Sequence, residues 1–263
     1  MTPTTYFTRK SASIARPFLL LYLLLTCSGL VLAQSPAPPW ELATSGSPNQ
    51  PGTSVTYASA VDAAGNVFIT GQFSNTVLFG NTTLTSKGGT DIFVAKWDAT
   101  AHAFTWATSG GSIGDDRGRG IAVSGTGVFI TGLFACNGKA TIAGQELYGA
   151  GTYDVFVAKY LDTSTGSTPA TSSFANGWAT SGGGTDQDEG MGIAVNGPNV
   201  YVTGYFASGR NTYLAGQSLP GTGPSRTYDM FVAKYIDTSM GSTPASSSFA
   251  NGWATSGGGP ADD

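Results

Sequence analysis

From about residue 40 onward, apolar and polar positions alternate with the two-residue period of β-strands, and helical spacing is absent. In GVFITG (Gly127 to Gly132), Val128 and Ile130 share one face while Phe129 and Thr131 share the other. In DVFVAKY (Asp154 to Tyr160), Val155 and Val157 lie opposite Phe156, Ala158 and Tyr160. Both faces of this segment are therefore mostly apolar, as expected of a strand covered on each side by another sheet. The β-branched and aromatic content of these runs suits a pleated, buried surface.

The same segments recur three times, and internal repetition constrains the fold more tightly than any single strand does. DIFVAKW begins at Asp91, DVFVAKY at Asp154 and DMFVAKY at Asp229. Upstream of these lie NVFITGQF from Asn66, GVFITGLF from Gly127 and NVYVTGYF from Asn199. Downstream come TWATSGG from Thr105 and GWATSGG from Gly177 and again from Gly252, with WELATSG from Trp40 as a looser opening copy. Trp106, Trp178 and Trp253 are 72 and 75 residues apart, and the variation falls in Gly/Ser/Thr/Pro stretches that read as loops.

Adding the GIAV segments at Gly120 and Gly192 gives four strands per unit. The pattern predicts an all-β chain: a β-propeller-like array of about three four-stranded antiparallel blades, incomplete and open. The units run approximately over 40–105, 106–177 and 178–252, with 253–263 opening a fourth. Gly71, Gly132 and Gly204 occupy one position of each second strand, where a bulge or close backbone approach calls for glycine. The tryptophans are expected between neighbouring sheets. The repeated Lys96, Lys159 and Lys234 are expected to pair with a repeated aspartate such as Asp91, Asp154 or Asp229.

Residues 1–33 read as an export signal: Arg9, Lys10 and Arg16 precede an apolar run from Phe18 to Leu25 that resumes at Leu30, and cleavage fits best after Ala33. Thr26 to Gly29 interrupt the run, which argues against a membrane-spanning anchor. Cys27 leaves a lipidated alternative open. Residues 34–39 form a flexible Pro/Ala lead-in. Without the signal, 9 Lys plus Arg face 16 Asp plus Glu, a net charge of −7, which argues against nucleic acid as a partner. Cys136 is then the one cysteine left, so no intramolecular disulfide can form, and it reads as a small strand residue beside Phe134.

Taken together, GNVFITGQF with GGTDIFVAKW, TGVFITGLF with TYDVFVAKY, and PNVYVTGYF with TYDMFVAKY resemble the SBBP group of bacterial β-propeller repeats, over most of residues 40–263. The resemblance implies a secreted or surface-displayed array, often part of a longer exported chain, and no shared catalytic set. The chain departs from it in the near-identical inserts Thr163 to Phe174 and Thr238 to Phe249, and in supplying three blades where propellers have at least four. The final WATSGGGPADD stops where earlier copies continue into GIAV, so the sequence reads as a fragment. If it is complete, its open array ends are expected to self-associate.

Candidate chemistry is sparse. His102 sits in a variable loop, DATAHAFT, without a repeated partner, and reads as an exposed loop residue rather than a catalytic or zinc-binding one. The sequence contains no HExxH or Walker-type loop. Asp115 and Asp116 in GDDRGRG, and Asp186, Asp188 and Glu189 in GTDQDEG, fall at matching positions and form a candidate calcium site. The competing reading is that these side chains cap turns. Asp98, Asp162 and Asp237, after the DxFVAK strands, read as structural.

No enzyme is indicated, and the expected function is that of an exported non-catalytic scaffold presenting loops to a protein or polysaccharide partner at the bacterial cell surface. The Thr/Ser-rich inserts and Tyr148, Tyr153, Tyr205 and Tyr213 are the expected contact points. The alternative is a fragment of a secreted glycosidase-like hydrolase whose active site lies in other blades or domains.

Overall fold

A computed structural model of the protein describes residues 51–164, 174–207, 211–224, 227–239 and 248–259. The export signal, Cys27, the lead-in and the Trp40 segment lie outside the described residues, as does most of each Ser/Thr-rich insert.

All regular structure among the described residues is β. In chain order, β1 (Thr53–Val61), β2 (Val67–Phe79), β3 (Thr82–Asp98) and β4 (Ala103–Gly110) form the first antiparallel sheet. The second is built from β5 (Arg117–Ser124) and β6 (Gly127–Ala135), then, after a small hairpin β7 (Ala140–Ile142) and β8 (Gln145–Leu147), from β9 (Tyr153–Asp162) and β10 (Phe174–Gly182). The third repeats this plan with β11 (Asp188–Asn196), β12 (Asn199–Ala207), a hairpin β13 (Thr212–Leu214) and β14 (Gln217–Leu219), β15 (Tyr228–Asp237) and β16 (Phe249–Gly257). Each sheet is a meander whose tryptophan strand comes last, so the sheet boundaries fall after the tryptophan strands rather than before them. No sheet is closed on itself. Among the described residues no helix is long and apolar enough to cross a membrane.

The repeated glycines have a steric cause. A Cβ on Gly71, Gly132 or Gly204 would come within 1.8, 1.9 and 2.0 Å of the carbonyl oxygens of Val55, Arg117 and Glu189. The facing strand is bulged at each of these places, between Thr56 and Ala58, Gly118 and Gly120, and Gly190 and Gly192. The bulge pushes its carbonyl into the space a side chain would need.

Alternation along the strands divides the interior into separate cores. Val128, Ile130, Phe156 and Ala158 of the second sheet pack with Phe68, Val94 and Trp106 of the first. On its other face, Phe129, Val155, Val157 and Trp178 pack with Val202, Phe231 and Tyr235 of the third. All nine residues of β6 are buried in consequence. A third core lies on the first sheet alone, where Phe79 from the β2–β3 hairpin stacks on Phe93 at 4.8 Å between ring centroids.

Polar groups stitch each junction at one repeated point. Lys96 Nζ donates to Asp162 Oδ2 at 2.8 Å, and Trp106 Nε1 donates to Oδ1 of the same carboxylate at 3.3 Å. One junction later, Lys159 Nζ donates to Asp237 Oδ2 at 2.6 Å and Trp178 Nε1 to Asp237 Oδ1 at 3.0 Å. Trp106 and Trp178 therefore pack between sheets as expected, whereas Trp253 is 44% exposed; the partners of Lys96 and Lys159 differ from expectation, being Asp162 and Asp237 rather than Asp91, Asp154 or Asp229. The pleat explains the correction. Lys96 lies five positions after Asp91, an odd step, so the two project from opposite faces of β3, and the lysine reaches the next sheet instead. A second link is made by backbone: Gly111 and Thr141 exchange N–H···O bonds of 3.0 and 2.9 Å, and Gly183 and Tyr213 do the same at 3.0 and 3.1 Å.

The side chains of Lys159 and Asp237 are only 4% and 11% exposed. Removing one partner strands a buried charge, so Asp237→Ala is expected to cost about 3–5 kcal/mol in urea unfolding. Asp98→Ala, the equivalent change on the first sheet, is expected to cost under about 1 kcal/mol in the dilute protein, because among the described residues no lysine docks there.

Candidate functional site

The structure distributes the predicted acidic residues over two sheet junctions and does not bring the two groups together. Asp115 Oδ1 accepts the Thr90 amide at 2.9 Å, and its Oδ2 lies 3.9 Å from Arg117. Asp116 is buried, accepting the amides of Ser112 at 2.6 Å and Ala135 at 2.9 Å. At the next junction Asp188 plays the same part, accepting the amides of Gly184 and of Ala207, the latter at 3.1 Å. Asp186 is exposed, while Glu189 is buried between Arg119 and the Tyr205 hydroxyl, both of which donate to it. Asp115, Asp116, Asp188 and Glu189 are thus committed to backbone amides, to Arg117 or Arg119, or to the Tyr205 hydroxyl. Among the described residues no three His, Cys, Asp or Glu side chains group as metal ligands.

A different acidic pairing emerges, which sequence reading placed with the lysines. Asp91 of β3 and Asp116 converge on Gly111: a Cβ there would lie 2.9 Å from Asp91 Oδ1 and 2.6 Å from Asp116 Oδ2. Asp154 and Asp188 converge on Gly183 in the same way, each with an oxygen 2.7 Å from the corresponding point. The absence of a side chain at these glycines lets two carboxylates approach one another. Asp91 Oδ2 accepts the Lys87 amide at 3.1 Å, but its buried Oδ1 has no hydrogen-bond partner. Burial, reinforced by the charge of Asp116, raises the Asp91 pKa to about 6, against the pull of the Lys87 amide. Burial and then the charge of Asp154 raise Asp188 to about 7, with the Gly184 and Ala207 amides opposing. Asp116 and Asp154 are raised as well, chiefly by burial. The signal for this pairing was present in the thrice-repeated Asp of DxFVAK; Arg119, which occurs once, offered none.

An open cleft of about 450 Å³ lies beside the first pair, lined by Gly89, Asp115, Cys136, Asn137, Thr152 and Tyr153 among others. Cys136 directs its thiol toward the Phe134 carbonyl at 3.7 Å. Burial, then repulsion from Asp154, pushes its pKa up to about 12, so the thiol stays protonated and is a poor nucleophile. His102 is exposed in a turn with a left-handed backbone (φ 51°), away from any acidic pair. Of the four tyrosines, Tyr148 and Tyr213 are exposed, Tyr153 lines the cleft, and Tyr205 is half-buried against Tyr228.

Compared with protein-family models and with curated proteins, the chain gives no match.

Carboxyls whose folded pKa is raised bind protons more tightly folded than unfolded, so stability is highest below about pH 4 for these groups and is lost as pH rises through about 6 to 7. Asp91→Asn places a neutral amide where Oδ1 now faces Asp116 and keeps an acceptor for Lys87. Urea unfolding at pH 7.5 is expected to show the variant more stable by on the order of 2 kcal/mol, with the difference vanishing near pH 4.

Proposed function

We propose that the chain is an exported, non-catalytic scaffold. In this reading its sheets are blades of a propeller-like array of the SBBP type, presenting loops to a partner at the bacterial cell surface. The observation that carries it is the employment of the repeated polar residues. Lys96, Lys159, Asp162 and Asp237 are taken up in joining one sheet to the next, and Asp116 and Asp188 in fixing turns. A residue that does the same structural work in every unit is not available for chemistry that needs a single asymmetric centre. The packing of the first strands supports the blade assignment: β5 lies against β1 on one side and β11 on the other, as inner strands do around a propeller axis.

For the partner, the hairpins supply the argument. Tyr148, directly after β8, and Tyr213, on β13, are 66% and 59% exposed. Flat rings with a polar edge, held on short hairpins, suit stacking on the faces of sugar residues, which favours a polysaccharide over a protein.

Two measurements test this. N-terminal sequencing of the protein recovered from the medium or cell surface of an expressing bacterium is expected to begin at Gln34; a retained Met1 would overturn export through the signal. On a glycan array followed by calorimetry, at least one polysaccharide class is expected to bind, and the double variant Tyr148→Ala, Tyr213→Ala to bind roughly tenfold more weakly with an unchanged unfolding midpoint. Silence across the array, or undiminished binding by the variant, would remove the polysaccharide assignment.

A further inference from the structure

The inter-sheet clamp has a donor half and an acceptor half, and the described residues contain one unused copy of each. The donor half is built alike in all three sheets: a lysine over an aromatic ring, with the tryptophan beside it. Lys96 Nζ lies 5.7 Å from the Phe68 centroid, Lys159 Nζ 5.5 Å from that of Phe129, and Lys234 Nζ 5.9 Å from that of Tyr201. The neighbouring tryptophans stand 5.9, 6.3 and 6.5 Å from the same rings. The first two sets are covered by the next sheet, and Trp106 and Trp178 are each 3% exposed; Trp253 is 44% exposed, and Lys234 has no carboxylate partner among the described residues.

The acceptor half is equally repetitive. Asp162 Oδ1 and Asp237 Oδ1 each accept an amide of the following turn, from Ser164 at 3.1 Å and Ser239 at 3.2 Å, which leaves Oδ2 to receive the lysine. Asp98 Oδ1 accepts its turn amides from Thr100 at 2.9 Å and Ala101 at 2.8 Å, and no hydrogen bond among the described residues engages its Oδ2. The aromatic seat for the incoming tryptophan is present as well. Trp106 stacks on Phe174, which meets Tyr160 edge-on, and Trp178 stacks on Phe249, which meets Tyr235 edge-on. On the first sheet Trp97, in the position of Tyr160 and Tyr235, meets Phe104 edge-on at 5.3 Å, and both rings are half-buried.

We infer that the Lys234–Trp253 face of one copy of this chain docks on the Asp98–Trp97–Phe104 face of a second copy, forming a head-to-tail contact that reproduces the internal junctions. Such a contact is heterologous: it uses two different surfaces, so it propagates until a ring closes or a filament forms. The pairing is set by charge complementarity, a cation meeting a carboxylate oxygen that has no other donor, and by the exposed indole that both internal junctions bury.

Sedimentation velocity of the exported chain across the micromolar to sub-millimolar range tests this with two variants, Asp98→Lys and Lys234→Asp. Wild type is expected to form concentration-dependent oligomers, and each variant alone to associate roughly thirtyfold more weakly or not at all. An equimolar mixture is expected to recover association, because the first variant keeps an intact Lys234 face, the second keeps an intact Asp98 face, and the two exchanged faces are opposite in charge as well. A wild type that stays monomeric throughout, a single variant that associates like wild type, or a mixture that does not pair would each overturn the inference. None of these outcomes bears on glycan binding by Tyr148 and Tyr213.

Discussion

The architecture depends on a constraint that β-sheets with two apolar faces impose: each must be covered on both sides. In the middle sheet both faces of β6 and β9 are buried, one against the first sheet and the other against the third. Apolar burial alone is indifferent to registry, since one oily face slides over another at little cost. The carboxylates of Asp162 and Asp237 remove that freedom. Each receives a lysine and an indole N–H from the preceding sheet on its two oxygens, so the sheets meet in one relative position. A low-dielectric setting makes the misaligned alternative, a buried unpaired lysine, costly.

The two ends of the stack are finished differently. On the first sheet, Phe79 ends β2 before the hairpin turn, as Ile142 and Leu214 do in the later hairpins, and its ring packs over Phe93 and Phe104. The outer face is thereby partly sealed by the sheet's own residues. On the third sheet, Met230 and Trp253 remain 56% and 44% exposed. A repeat array joins neighbours with one interface used many times, so a side of that interface left uncovered among the described residues is already shaped for another unit.

The paired carboxylates around Gly111 and Gly183 oppose stability at neutral pH, as their raised pKa values require. Their amide bonds order the turns that lead from one sheet into the next, through Asp116 to Ser112 and Ala135 and through Asp188 to Ala207. Turn geometry is thus fixed by groups that gain from protonation, which couples the junctions to pH near neutrality.

The strands, their two-sided burial and the glycines at 71, 132 and 204 were legible in the chain because each depends on local rules: the two-residue period of a pleated strand and the steric limit on a Cβ beside a bulge. Repetition extended those rules, since identical segments take identical places. The partners of Lys96 and Lys159 were not legible, because they sit on another sheet and depend on how far apart and at what angle two sheets pack. The same holds for Arg119 with Glu189, 70 residues apart in sequence, and for the approach of Asp91 to Asp116. Sequence by itself determined which residues face inward; only the tertiary structure decided which of them meet, because contact between sheets is set by packing and charge rather than by any spacing along the chain.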